Sequence, residues 1–378
     1  MRWSLGIGML GACTSADPSS IDAGRDAVDQ LVAEAALGPD IVASGDRLAM
    51  SWTERRDDAD ELHLATWSPT EGLATARVAS DDVVVGLARK PSIAWGDDGT
   101  VWVSFTSGDP RGSSLWLARA TNGLAEVEVE RIATAGPDQL PTLLDQPEVR
   151  VGPDGDVWLM VKAEVDHPTV ELWLGRGTDD FDLQPVTPFP GRPCECCPHQ
   201  LDFTPDGEAL LTIRNDQQNL REIWVARAGR GSTDFDRVQQ VSTTGWIVPG
   251  CPFDGPRMAA RRDPRLVVTW VDATEGVTRP WLARSDDGGA SWREEEALLE
   301  GRGTAFAYPL VVDDGTSLWV AAEELWDGLV VSREDGDGWQ SVPVDHVREQ
   351  AELVVTDQGV FVFGLDDEGA LWLEALSD

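Results

Sequence analysis

The chain is punctuated by short alternating apolar runs, each closed off by an Asp-Gly pair or a polar loop. The segment 91–120, PSIAWGDDGTVWVSFTSGDPRGSSLWLARA, sets the pattern. A short apolar strand comes first, an Asp-Gly turn leads into an alternating strand (VWVSF), and a polar loop precedes a third strand (LWLARA). Alternation of this kind predicts strands with one face buried. Asp-Gly between such runs predicts hairpin turns of type I′, which need positive φ at both central residues.

The unit repeats. Segments 147–177 (PEVRVGPDGDVWLMVKAEVDHPTVELWLGRG) and 198–228 (PHQLDFTPDGEALLTIRNDQQNLREIWVARA) follow the same order, and weaker copies begin near Pro39, Gly255, Ala307 and Ala351. Starts lie roughly 44 to 57 residues apart, which suits one four-stranded blade of a β-propeller. Trp102, Trp158, Trp270 and Trp319, in the second strands of their repeats, are expected to fill the layer between blades. The last copy, from Ala351, holds only three strands, so residues 28–36 (VDQLVAEAA) are expected to supply its outer strand and close the ring. The fold class predicted is all-β, a single propeller over 28–378 with seven four-stranded blades, six being the alternative.

Ser285-Asp286-Asp287-Gly288-Gly289-Ala290-Ser291-Trp292 follows the third strand of the fifth repeat. Its Ser285, Asp287, Gly289 and Trp292 have the spacing S-x-D-x-G-x-x-W, and Ser332, Glu334, Gly336 and Trp339 have it in the next repeat with Glu for Asp. A degenerate copy spans 228–235. These strings resemble the Asp box of sialidase-like propellers. The resemblance implies a structural hairpin, its carboxylate tying backbone amides and its Trp plugging the blade, on the face away from catalysis. It therefore speaks to fold; function has to come from the site.

In that family sialidases hold the sugar carboxylate with three Arg and use a Tyr activated by a Glu, with an Asp as acid/base. By resemblance Tyr308, in Ala307-Tyr308-Pro309-Leu310, stands where the nucleophile would be, and Arg214 and Arg221 where one carboxylate-binding Arg would be. Glu148 is the positional candidate for the partner Glu, and Asp254 or Asp216 for the acid. The family's Arg-Ile-Pro motif is missing, with Arg89-Lys90-Pro91 the nearest string, and no third Arg is assigned. The plainer alternatives are a packed or channel-lining Tyr308, and Arg214 and Arg221 paired with Asp216 and Glu222.

Two Cys-Pro segments stand before the fourth and fifth blades: Cys194-Glu195-Cys196-Cys197-Pro198-His199 and Cys251-Pro252. Such connections share one face of a propeller, so these four Cys are expected to meet at the channel mouth near Arg214, Arg221, Asp254 and Tyr308. Adjacent Cys196 and Cys197 are expected to take different partners, because bonding each other would strain the chain. A disulfide from the cluster to Cys251 would staple two blades. Clustered thiolates with His199 would alternatively suit copper, as Cu(I), or zinc. No cofactor is otherwise implied.

The amino terminus, MRWSLGIGMLGAC, resembles a bacterial lipoprotein signal over 1–13 with Cys13 as the lipidated residue, and 14–27 (TSADPSSIDAGRDA) reads as a flexible tether. An exported, membrane-anchored lipoprotein, on the periplasmic side of an outer membrane or the cell surface, is the expected location. An ordinary secretory signal is the alternative. No stretch reaches the roughly 18 apolar residues of a membrane span. The formal charge of −37, with Lys90 and Lys162 the only lysines, excludes a basic stripe for nucleic acid.

Three readings stay open at this stage. A monomeric binding module for a surface glycan or protein ligand at the channel face leads. An exo-glycosidase with a Tyr nucleophile and a thiolate metal-binding lipoprotein are the rivals.

Overall fold

The structure, a computed structural model, describes residues 29–377 except 57–58, 79–89, 110–111, 137–140, 168, 261–263, 300–304 and 337. Cys13 and its signal, the tether 14–27, Val28 and Arg89 lie outside the described residues.

The strands form seven sheets, one per repeat, and the fourth carries an added two-residue piece, Arg192–Pro193. Each sheet is an antiparallel meander whose first strand is innermost. The seventh consists of Glu349–Thr356, Gly359–Leu365 and Leu371–Leu376, completed on the outside by Gln30–Ala33. That N-terminal strand pairs antiparallel with Leu371–Leu376, Gln30 facing Leu373. Seven blades and N-terminal closure are therefore as the repeat predicts.

The seven apolar clusters of the described residues each draw on two neighbouring blades. One joins last to first, with Trp52 and Trp67 packed against Phe361 and Phe363. Closure thus buries a layer as well as covering a sheet edge. Trp158, Trp270 and Trp319 are buried in these layers, and Trp102 packs partly buried against one. Three of the four carry an Arg from the adjacent strand, directly opposite in register: Arg119 over Trp102, Arg176 over Trp158 and Arg333 over Trp319.

The Asp-Gly turns differ from expectation. Gly99, Gly155, Gly207 and Gly315 have positive φ, but the Asp before each does not, so these are not type I′ turns. The loop is longer and only its last residue is left-handed; Gly96 N–H donates to Thr100 O and Gly99 N–H to Gly96 O. In two of the loops the Asp side chain caps the turn, Asp98 accepting from Thr100 N–H at 2.9 Å and Asp314 from Thr316 and Ser317 N–H at 2.7 Å, whereas Asp154 is taken by Arg230.

The box at 285–292 is tied by its own side chains. Asp287 accepts from Ser285 Oγ (2.8 Å), Ser291 N–H (2.8 Å) and Ser291 Oγ (2.6 Å), bonds that hold its carboxyl down at about 2. Gly288 and Gly289 take the left-handed turn. The second string is built differently: Glu334 reaches to Arg284 of the preceding blade at 3.1 Å, and Trp339 donates to Glu296. Glu is one methylene longer, long enough to leave its own turn and join two blades.

Inner strands are locked around the channel by side chains that accept from the backbone of the next blade. Asp40 accepts from Ile93 N–H (2.9 Å), Ser92 from Val149 N–H (3.3 Å), Glu148 from Leu201 N–H (2.9 Å) and Gln200 from Met258 N–H (2.6 Å). At the corresponding places of the next two blades stand Arg257, which lacks an acceptor, and Leu310.

Candidate functional site

Four inner strands begin with the same irregularity. Their pairing with the second strand shifts between Leu37 and Asp40, Asp145 and Glu148, Ala307 and Leu310, and Glu349 and Glu352. One left-handed residue sits in each shift: Gly38, Gln146, Tyr308 and Gln350. A bulge re-aims the chain at a sheet end, and here it sets the mouth of the channel.

Below the mouth lies a cavity of about 510 Å³ lined by the inner strands. Its wall carries Lys90, Arg150 and Arg257 against Asp40, Glu148, Asp202 and Glu352. Lys90 pairs with Asp40 at 3.1 Å and with Glu352, Arg150 with Glu148 at 2.8 Å, and Arg257 reaches Glu352 at 3.7 Å. Burial pushes the Glu148 carboxyl up to about 7 and holds His199 well below its ordinary range. His199 Nε2 is 3.5 Å from Glu148.

Beside this cavity, over blades 4 to 6, the remaining predicted residues come together. Arg214, 1% exposed, gives its guanidinium to three backbone carbonyls: Asp254 O (2.9 Å), Arg221 O (3.2 Å) and Val271 O (2.6 Å). It also lies over Trp246 at 5.0 Å, and burial pushes it down to about 10. Arg221 donates to Gly250 O and pairs with Asp216 at 3.2 Å; Arg192 pairs with the same Asp216. Glu222 is taken by Ser242 and Gly245 N–H. Both arginines thus spend hydrogen-bonding capacity on holding the loop 246–256, which presents Asp254. Asp254 in turn accepts from Tyr308 N–H at 2.9 Å.

Glu323 stands on the second strand of blade 6, opposite Ala307. It is 8% exposed, accepts from the backbone of Gln350 and Ala351, and has one oxygen with no hydrogen-bond partner among the described residues. Burial drives its carboxyl up to about 7, with Glu349 and Asp254 adding to the rise. Burial likewise raises Asp254, and raises Tyr308 together with the charges of Asp254 and Glu323. Tyr308 projects from this group, 48% exposed. Phe253 (63% exposed) precedes Asp254, which binds the Tyr308 amide, and Trp326 (92% exposed) lies in the loop that follows Glu323, at the end of the blade where Phe306 pairs with Glu324. All three aromatics sit on left-handed backbone, φ 62°, 51° and 78° in chain order. Bulky side chains rarely adopt that conformation, and where they do the strain marks a candidate site.

The cysteine loops form the rim on the blade 4 side. Cys194 pairs with Cys197 and Cys196 with Cys251, at Cα separations of 5.4 and 6.2 Å. The adjacent cysteines take different partners, and one bond staples the loops before blades 4 and 5. The sulfurs of Cys194, Cys196 and Cys197 lie within 4.8 Å of one another, a group His199 does not join.

Of the residues read from sequence, Tyr308, Asp254, Arg214, Arg221 and Cys251 are joined by direct hydrogen bonds or lie one residue from them. Glu148 lies apart, in the channel wall, though Arg257 acts on both Glu148 and Asp254. Sequence reading missed Glu323, Phe253, Trp326 and Arg257. In sequence Glu323 shows only as the end of an alternating strand; its place opposite the Tyr308 segment comes from the pairing with Ala307.

No family profile and no curated protein matches this sequence. Solved structures do match it in shape. An α-L-arabinanase of Penicillium chrysogenum complexed with arabinobiose aligns with TM-score 0.53 and 14% identity over 91% of this chain and 93% of that one. A polysaccharide lyase, an ulvan lyase bound to a GlcA–Rha3S unit, aligns at 0.56 and 10% identity over 90% and 94%. The Hadza microbial sialidase Hz136 aligns at 0.50 and 14% identity over 76% and 63%. At such identities the likeness is one of fold.

Proposed function

We propose that this chain is a glycan-binding propeller whose sugar platform lies over blades 5 and 6 at the channel mouth. The observation that carries the reading is the group of Phe253, Tyr308 and Trp326, exposed on left-handed backbone around the buried acids Asp254 and Glu323. Exposed aromatic faces offer a flat apolar surface to the C–H face of a sugar ring, and carboxyl oxygens accept from its hydroxyls. A few polar groups set in an apolar surround is the usual build of a small-ligand site. Because Arg214 and Arg221 already hold backbone carbonyls and Asp216, a carboxylate-clamping set of arginines is a poorer fit than a neutral glycan. The saccharide complexes among the structures of like fold support the same direction. In this reading Cys13 tethers the propeller outside the cytoplasm, facing surface glycans; Cys13→Ser should move it from the membrane to the soluble fraction, and unchanged retention would refute that part.

The test is a glycan array with the purified chain, followed by calorimetric titration of any hit. Binding that falls about tenfold or more in Trp326→Ala supports the platform; a hit indifferent to Trp326 and Tyr308 refutes it.

A second reading, glycoside hydrolysis, is favoured by one observation. Glu323, held near 7 beside Asp254, has the protonation range of a general acid. It predicts reducing-sugar release that Glu323→Gln abolishes while binding is weakened but not lost, and no release from any array hit would dismiss it.

A further inference from the structure

The two disulfides touch each other: Cys194 Sγ is 3.8 Å from Cys196 Sγ, and each of these sulfurs is bonded to one of the other two. The sulfurs of Cys194, Cys196 and Cys197 therefore lie within 4.8 Å of one another, and Cys251, from the second loop, is outside that group but joined to it through Cys196. A tetrahedral ion with metal–sulfur bonds of about 2.3 Å requires sulfur separations of about 3.8 Å.

Both loops are also anchored by bonds that do not involve sulfur. Cys194 N–H donates to Arg214 O at 2.9 Å, and Gln146 Nε2 donates to Cys196 O at 2.9 Å. The buried Lys162 ammonium donates to Cys194 O at 2.7 Å and to Cys197 O. On the other side Arg221 holds Gly250 O at 3.1 Å, and Val248 N–H donates to Asn219 O at 3.0 Å. Opening the disulfides leaves these anchors in place, so the sulfurs stay gathered. Lys162 sets a positive charge against the loop, which offsets part of the negative charge a multi-thiolate complex carries. Cys194 and Cys197 are buried while Cys196 is only partly so, which gives an ion a way in.

We propose that the reduced form of this cluster is a site for one closed-shell soft ion, Cu(I) or Zn²⁺, held by the thiolates of Cys194, Cys196, Cys197 and Cys251. The two disulfides and the bound ion are then alternative staples between the loops before blades 4 and 5. In the exchange each disulfide gains two electrons and two protons: a dithiol supplies both and becomes a disulfide, whereas a phosphine supplies the electrons and water supplies the protons and the oxygen of the phosphine oxide. The ion displaces the thiol protons to solvent on binding. The site is independent of the glycan reading: it uses none of Asp254, Tyr308, Glu323, Phe253 or Trp326.

The test uses the full chain, reduced with a phosphine without oxygen and offered Zn²⁺ alone or Cu(I) alone. Elemental analysis follows gel filtration, with circular dichroism recording the fold. The expected result is one ion retained per reduced chain, none per oxidised chain, and alkylation of the four thiols blocked by the ion. Cys196→Ser and Cys251→Ser should each weaken retention about tenfold or more against a competing chelator. Zn²⁺ retained and Cu(I) not, or the reverse, identifies the ion. The proposal is overturned if the reduced, folded chain keeps no ion, or keeps it equally when oxidised or when the cysteines are replaced. A reduced chain that unfolds and does not recover its fold with either ion overturns it as well.

Discussion

Replacing Glu323 with Gln should make the protein more stable, and only above mildly acidic pH. The carboxyl is buried over blade 6 and its folded-state value is about 7, against an ordinary 4.5. A raised folded value means that the native state holds the proton more tightly than the unfolded chain. Below an ordinary carboxyl's range both states are protonated, and Glu323 carries no charge-burial penalty. As pH rises from 4.5 through 7 the unfolded chain ionises first and stability is lost. Each pH unit of separation is worth about 1.4 kcal/mol, so the loss at neutral pH and above reaches about 3 kcal/mol. Gln keeps a carbonyl for the amides of Gln350 and Ala351 and has no proton to lose. Urea unfolding of both proteins between about pH 4 and pH 8 should therefore show a stability difference that grows in favour of Glu323→Gln across that window. The same variant should bind glycan more weakly, a stability gain set against function. A difference that stays flat with pH would refute the burial argument, whatever its size.

Three further outcomes follow from the same geometry. Trp326→Ala should leave stability within about 0.5 kcal/mol, since the side chain is 92% exposed, while glycan affinity drops; calorimetry and thermal melts read the two together. Deleting Gln30–Ala33 should uncover the edge of Leu371–Leu376 and part of the layer joining last blade to first, with oligomers or aggregates seen by light scattering; a monomer of unchanged melting temperature would contradict closure by this strand. In oxidised protein, Cys251→Ala should cost about 2–4 kcal/mol, because its bond to Cys196 closes a sequence separation of 55 residues, and a denaturant midpoint like the parent's would contradict the staple.

The ring could be read from sequence because each blade repeats one problem of burial. Alternating strands, an Asp-Gly loop and a Trp in the second strand recur, and a three-stranded last copy demands a partner, which Gln30–Ala33 provides. The turn type could not be read so well. Asp-Gly leaves open how many residues precede it in the loop, and here the Asp keeps an ordinary φ, capping the turn in two of the loops, instead of entering the left-handed region. That the adjacent cysteines take different partners and that a bond reaches Cys251 followed from register and strain, but which cluster cysteine bonds Cys251 did not. Sequence left Arg214 and Arg221 between a carboxylate clamp and pairing with Asp216 and Glu222; in three dimensions Arg221 does pair with Asp216, while the two guanidiniums otherwise hold the carbonyls of Asp254, Val271 and Gly250. Phe253 and Trp326 gave no signal, because an aromatic in a loop reads like any other until the backbone shows it left-handed and exposed. Glu323 needed the pairing with Ala307 before its place beside Tyr308 was visible.

The most direct measurement of the central claim is difference density from crystals soaked with an oligosaccharide taken from the array. The account predicts a sugar ring against Trp326 or Tyr308, with hydroxyls on Asp254 or Glu323. A saccharide bound instead on the opposite face, beside the turn of Ser285–Trp292, or only deep in the channel among Lys90, Arg150 and Arg257, would contradict it.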